Sequence, residues 1–298
     1  MKIFVTGGTG FIGSHFLKAA IAAGHEVVAI RNEASESRIP LVDQPRWRTA
    51  GLAEASKLFE EDDFRDVDVM VHLAAVGVLP KDASWFRCYQ VNVQESMAVW
   101  KSAIAAGVRR IVSCGSCFEY GQAGERYERI PVGCPLEPIG PYASSKAAAT
   151  LSLTGMARDM NFEAAVLRPF HVFGDGEDGG RLWPSLKSAA LNGLDCPMTK
   201  GEQVRDMISV ESCANAILDV AVNRGLEPGK PEIHNVGTGR ATTVRAFAES
   251  WWSRWNASGH LVVGALAYRQ GEVMRYVPEL TLGREAEGIH GYEAAAAE

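Results

Sequence analysis

The chain predicts an α/β fold: a doubly wound parallel sheet with helices on both faces, and a smaller mixed α/β region at its C-terminal end. Three observations carry this. Short apolar runs alternate with helix-period segments as far as Arg168; a glycine-rich turn joins the first strand to the first helix; and the alternation changes character after Arg168. Strands alternating with helices pack as parallel strands joined by crossovers. Right-handed crossovers wind such a sheet in both directions from its centre.

The elements follow in order. Lys2–Thr6 reads as a strand. Phe11–Ala23 sets Ile12, Phe16 and Ala20, and Leu17 with Ile21, at i,i+4 spacing, an amphipathic helix that stops at Gly24. Glu26–Ile30 is β-rich, Ala53–Glu60 suits a helix, and Val67–Leu73 a strand. A long helix is expected over Ser84–Ala106, ending at Gly107. Arg110–Ser113 then reads as a strand, Tyr142–Met160 as a helix and Ala164–Leu167 as a strand. Beyond Arg168 come a Gly- and acid-rich loop (Gly174–Gly180), helices over Leu182–Leu191, Ser212–Asn223 and Val244–Trp255, and strands over Asp206–Val210 and Glu232–Asn235. The expected division is residues 1–168 for a dinucleotide-binding domain and 169–298 mainly for substrate. The elements around 206–223 and 232–235 return to the first domain. The tail Ala294–Glu298 is expected to fray.

Composition narrows the function classes. The 298 residues are 47% hydrophobic and 22% charged, with a formal net charge of −6. That mild acidity argues against a nucleic-acid partner, and no apolar run is long enough to span a bilayer. The six cysteines are scattered, and Met1-Lys2 runs directly into the first strand, so the expectation is a cytoplasmic protein with reduced thiols. Cys114-Gly115-Ser116-Cys117 has C-x-x-C spacing. It follows a strand rather than opening a helix, and no second pair completes a zinc site, so two small buried side chains and no metal are expected.

Thr6-Gly7-Gly8-Thr9-Gly10-Phe11-Ile12-Gly13 lies between the first strand and the first helix. Gly7 permits the tight turn, Gly10 a close approach to a pyrophosphate, and Gly13 close packing of helix on strand. The N–H groups of Phe11, Ile12 and Gly13 at the helix N-terminus suit phosphate. The end of the second strand, where an acid binds an adenine ribose, holds Arg31 with Arg38 nearby. An Arg there suits a 2′-phosphate, so NADP(H) is favoured, with NAD(H) as the alternative.

Tyr142 and Lys146 share one helix face at i,i+4 spacing. A neighbouring ammonium lowers a phenol's pKa and lets it pass a proton. Ser116 stands past the end of a strand, where open α/β sheets build their sites, and its hydroxyl suits the same substrate oxygen.

The glycine loop, Val71-His72-Leu73-Ala74-Ala75, Ser116 with Glu119-Tyr120-Gly121, Tyr142–Lys146, Leu167–Gly174 and Val204–Val210 together resemble the extended short-chain dehydrogenase/reductase family. Asn235–Gly239 and Tyr268–Glu272 continue the likeness. The resemblance implies a Rossmann domain, a nucleotide-diphosphate sugar as substrate, and a homodimer joined through helices. It implies cofactor contacts at Leu73, Ala74 and Ala75, and at Leu52, where an Asp that often holds the adenine is missing. It implies substrate contacts at Arg205 and Arg269 (diphosphate), Glu272 (ribose), Arg181 with Trp183 (nucleobase segment) and His171, which replaces the usual Asn. Dehydratases of the family carry an acidic pair after the catalytic Ser or Thr. Cys117 and Phe118 stand there, and Glu119 falls on the other side of an extended segment, which disfavours dehydration. Gly115–Gly121 is similar to the same segment of nucleotide-diphospho-4-keto-6-deoxysugar reductases. With Arg31 it favours a 4-ketoreductase over a 4-epimerase. A non-enzymatic NAD(P)-sensing protein is a third reading, opposed by the intact Ser116, Tyr142 and Lys146.

Overall fold

The computed structural model describes residues 1–58, 66–79, 83–269 and 271–280. Seven parallel strands form the central sheet: β1 (Lys2–Thr6), β2 (Glu26–Arg31), β3 (Arg46–Thr49), β4 (Val69–His72), β5 (Arg110–Cys114), β6 (Glu163–Pro169) and β11 (Glu232–Val236). Their order is β11-β6-β5-β4-β1-β2-β3. The chain runs outward from β1 to β3, then returns past the centre to β4, so the ends of β1 and β4 frame a crevice where the winding reverses.

Alternation along each strand divides the core. Ile3, Val5, Val27, Ala29, Val69 and Val71 face helices α1 (Phe11–Ala22) and α7 (Val210–Val222). Phe4, Val28, Ile30 and Met70 face α2 (Leu52–Leu58), α4 (Ser96–Ala105) and α5 (Gly140–Met160). Strands covered on both faces are apolar at successive positions, which is what their sequences show.

Outside the sheet, β7 (His171–Phe173) pairs with β10 (Met207–Ser209), and β8 (Cys196–Met198) with β13 (Leu261–Val263). β9 (Val204–Arg205) lies between β12 (Thr242–Thr243) and β14 (Arg275–Tyr276). Between α6 (Leu182–Leu191) and α8 (Val244–Arg254), Trp183, Trp251 and Trp255 pack with Phe173 and Phe247, most of them edge to face. Trp183 is thus a core residue.

Several elements differ from their sequence reading. The helix expected over Ser84–Ala106 is interrupted: α3 (Trp85–Tyr89) passes through a π-helical stretch, Gln90–Glu95, into α4. Asn92 turns inward there to bond both backbone groups of Val76, and Ser96 Oγ donates to Val91 O within the ladder. Such insertions widen a helix turn. The strand expected over Asp206–Val210 shortens to β10, and Asp206 separates it from β9. Between them the Asp206 carboxylate accepts N–H bonds from Thr238 and Gly239. The edge strand β3 is masked in sequence by Arg46 and Arg48, charges suited to a sheet edge. Helix α2 runs Leu52–Leu58; the end expected at Glu60 lies outside the described residues, as does the tail.

Candidate active site

The glycine loop sits at the crevice. Gly7 has φ +72, and a Cβ on it would lie 2.4 Å from Ala74 N. A Cβ on Gly13 would lie 2.0 Å from Gly7 O, whereas one on Gly10 would meet only Gly7 O, at 3.2 Å. The loop is therefore pressed against Leu73–Ala74 by Gly7 and against α1 by Gly13, while Gly10 leaves its side open. This cradle, at the N-terminus of α1, fits a dinucleotide pyrophosphate. Ala75 continues the same strand end, and Leu52 opens α2. Arg31 is the last residue of β2, and its guanidinium stacks 5.0 Å above the centre of the Trp47 ring. Arg38 meets the loop side of α1, its N–H donating to Ser14 Oγ.

Ser116 follows β5 and caps a tight 3-10 turn: Phe118 N–H donates to its Oγ, while Glu119 accepts from its N–H at 2.8 Å. The turn replaces the extended segment expected here. It sends Glu119 inward, fully buried, onto Arg168 Nε at 2.8 Å. Arg168 also donates to Tyr120 Oη, which donates in turn to Asn235. Glu119 is thus a buried strut beneath Ser116.

Tyr142 and Lys146 lie on the first turns of α5, where Pro141 favours helix initiation. Ser116 lies close enough to Tyr142 for its hydroxyl to favour the phenolate. Lys146 is almost fully buried and donates to Cys114 O at 2.5 Å. Ser145 bonds back to Tyr142 O and accepts from Asn92, so the π-helical stretch braces this turn. The phenol differs from its sequence expectation. Burial pushes Tyr142 up, with Cys114 adding to the rise and Ser116 opposing it. With Lys146 tied to Cys114 O, Tyr142 is held as the neutral phenol. Under the crevice His72 is buried between Thr6 Oγ1 and Ser96 Oγ. Burial first, then Lys146, lowers it to about 3.

Next to Phe118, His171 opens β7, with its ring edge-on to Phe118 and Tyr276. Burial, then Arg205 and Arg181, lowers it to about 3, and its buried Nδ1 has no hydrogen-bond partner among the described residues. Arg205 and Glu272 meet as an ion pair at 2.9 Å, with Arg205 also donating to Val273 O. Arg269 is exposed in the preceding turn, where its carbonyl accepts from Glu272 N–H. Arg181 caps α6 and reaches Val78 O at 3.0 Å. Cys117 is buried and Cys114 half-buried; all six cysteines are free thiols. Asn92, Phe118 and Tyr276 border the site without having been singled out as contacts. The one signal was for Phe118, an aromatic where the resemblance implies an acid in dehydratases.

The model of the NAD dependent epimerase/dehydratase family matches residues 3–237. The chain belongs to that family. Its seven-stranded parallel sheet is that of the extended short-chain dehydrogenase/reductase type. A UDP-glucose 4-epimerase of Neisseria meningitidis serogroup B is 30% identical across 83% of this chain and 81% of its own length. A putative UDP-arabinose 4-epimerase of Arabidopsis thaliana is 26% identical across 83% of this chain, which spans 66% of that relative. The solved UDP-glucose 4-epimerase of Thermotoga maritima, with UDP-glucose, superposes with a TM-score of 0.84 at 25% identity, covering 96% and 92% of the two chains. These relatives support the 4-epimerase alternative better than the 4-ketoreductase suggested by Gly115–Gly121 and Arg31. Among the described residues no helix is long and apolar enough to cross a membrane, and no cluster of side chains is placed to hold a metal.

Proposed function

We propose that this chain is an NAD(P)-dependent 4-epimerase of a nucleotide-diphosphate sugar. The observation that carries the reading is Ser116, past the end of β5, beside Tyr142, with Lys146 one turn further along α5 and a glycine cradle that fits a dinucleotide. Gly7, Gly10, Phe11, Ile12 and Gly13 would hold the pyrophosphate, Leu52 and Arg31 the adenosine end, and Leu73–Ala75 with Lys146 the nicotinamide end. The dinucleotide, when bound, supplies the two-electron oxidant and reductant at C4. The chain handles the proton: Ser116 Oγ holds O4, and Tyr142 Oη takes the O4 proton and returns it. The neutral phenol suits the returning half. The taking half is eased by a cation near Tyr142 Oη, the role this reading gives Lys146. His171, Arg181, Arg205, Arg269 and Glu272 hold the nucleotide sugar. In this reading residues 1–168 serve the dinucleotide, and most of 169–298 closes over the substrate.

The test is incubation with UDP-sugars and catalytic amounts of dinucleotide, with products resolved by chromatography. The 4-epimer should appear without net cofactor consumption. Product formed only from a 4-keto sugar, with stoichiometric NADPH oxidation, would establish the reductase, which Arg31 favours. No turnover of either substrate leaves the sensing role. Arg31 also carries the preference for NADP(H). Replacing Arg31 with Gln should weaken NADPH binding about tenfold by fluorescence titration while sparing NADH, as one charge-assisted contact would; equal effects on both would assign the site to NAD. Free thiols fit the cytoplasm. The exposed Phe86, Met97 and Leu151 on α3, α4 and α5 fit a homodimer joined through these helices, which sedimentation tests.

A further inference from the structure

The sugar lies between two fixed points. Ser116 and Tyr142 mark the reacting C4 oxygen, and Arg205 marks the diphosphate on C1. The wall running from Ser116 toward Arg205 is aromatic. Phe118, whose N–H is bonded to Ser116 Oγ, is 44% exposed, an unusual state for a ring beside a buried polar centre. Behind it stand Tyr276 and His171, with ring centres 6.3 Å and 6.1 Å away.

This wall has little left to offer a hydroxyl. The Tyr276 hydroxyl is buried and committed to Gly121 O at 2.9 Å. Cys117 is a buried thiol, and Glu119 is spent on Ser116 N–H and Arg168. Only the neutral His171 ring keeps a nitrogen without a partner among the described residues. A pyranose has two edges running from C4 to C1. One carries hydroxyls on C2 and C3; the other carries the ring oxygen and C5 with its substituent. A surface that offers no partners fits the second edge, and fits it best when C5 bears a methyl group or hydrogen alone. A hydroxymethyl group there would give up its water without replacement.

We propose that Phe118 makes this enzyme selective for nucleotide sugars without an oxygen on C6: 6-deoxyhexoses and pentoses in preference to hexoses. The proposal rests on the epimerase reading for its placement of C4 and the diphosphate. It is tested with UDP-glucose, UDP-6-deoxyglucose and UDP-xylose, which share nucleotide and ring stereochemistry. Both kcat/KM for 4-epimer formation and calorimetric binding are measured. The 6-deoxy and pentose compounds should be favoured by about 10- to 100-fold, the range an apolar pocket achieves against one added hydroxyl. Phe118→Ser should narrow that ratio by raising turnover and binding of UDP-glucose. UDP-glucose used as well as the others, or a ratio unchanged in Phe118→Ser, would overturn the proposal. If no sugar is epimerised, the epimerase reading fails while the binding ratio still decides this one; if none binds, both are overturned.

Discussion

The dinucleotide cradle and the sugar wall are built on opposite principles. The cradle is local: Gly7, Gly10 and Gly13 lie within a single turn, and their constraints are backbone contacts as short as 2.0 Å from an added Cβ. The wall is assembled from far along the chain, with Phe118 after β5, His171 after β6 and Tyr276 in β14 meeting through side chains. Backbone geometry fixes the cradle and resists substitution at Gly7 and Gly13. Side-chain packing fixes the wall, so it can change without altering the fold. Within a family sharing one cradle, the wall is where substrate preference is free to vary.

The reaction centre joins the two regions and should show the largest effect. Tyr142→Phe should lower kcat by roughly 10²- to 10⁴-fold, the usual worth of a positioned proton donor, with dinucleotide binding unchanged by fluorescence titration. Equal loss of binding would move Tyr142 from the chemistry to the cradle.

Next is the strut beneath Ser116. Arg168→Met leaves the Glu119 carboxylate buried without its partner and should cost about 3–5 kcal/mol in urea unfolding. A smaller loss would show that Ser116 N–H and its surroundings suffice to hold Glu119.

In the cradle, Gly13→Ala drives a methyl group into Gly7 O and should cost about 1–3 kcal/mol while weakening dinucleotide binding. A comparable change on the wall, Phe118→Leu, should leave stability within about 1.5 kcal/mol of the parent. If both respond alike, the contrast between backbone-fixed and side-chain-fixed regions is broken.

Acid should act on both regions at once. His72 under the cradle and His171 in the wall are held near 3, against 6.5 in the unfolded chain. Between those values the unfolded state binds protons that the folded state refuses. Stability is therefore full above pH 6.5 and falls as the pH drops toward 3, by up to ~1.4 kcal/mol per pH unit for each imidazole. His171→Asn should remove its own share of that slope, measured by urea unfolding at pH 7 and pH 5, and leave the share of His72.

The strand–helix alternation, the glycine loop and the Tyr142–Lys146 pair were legible because each is a short-range pattern. Period and spacing alone place Ile3 and Val5 on one face of the sheet, Phe4 on the other, and Tyr142 above Lys146. The 3-10 turn at Cys117–Tyr120 had one local signal, the Ser116-x-x-Glu119 capping box, in a segment expected to be extended. The pairing of Glu119 with Arg168, far away in sequence, was not legible. The π-helical stretch at Asn92 was hidden likewise, since its partners Val76 and Ser145 come from a loop and another helix.

By itself the sequence determined the fold class and pointed to the glycine cradle and to Ser116, Tyr142 and Lys146 as candidate reacting side chains, because backbone sterics and helical periodicity act over a few residues. Only the tertiary structure decided the state of those side chains. Burial holds Tyr142 protonated against the pull of the Ser116 hydroxyl; Arg205 is paired with Glu272; and the Phe118 ring stays partly exposed beside His171 and Tyr276. Each of these depends on which distant groups share a low-dielectric space, and local sequence does not encode that.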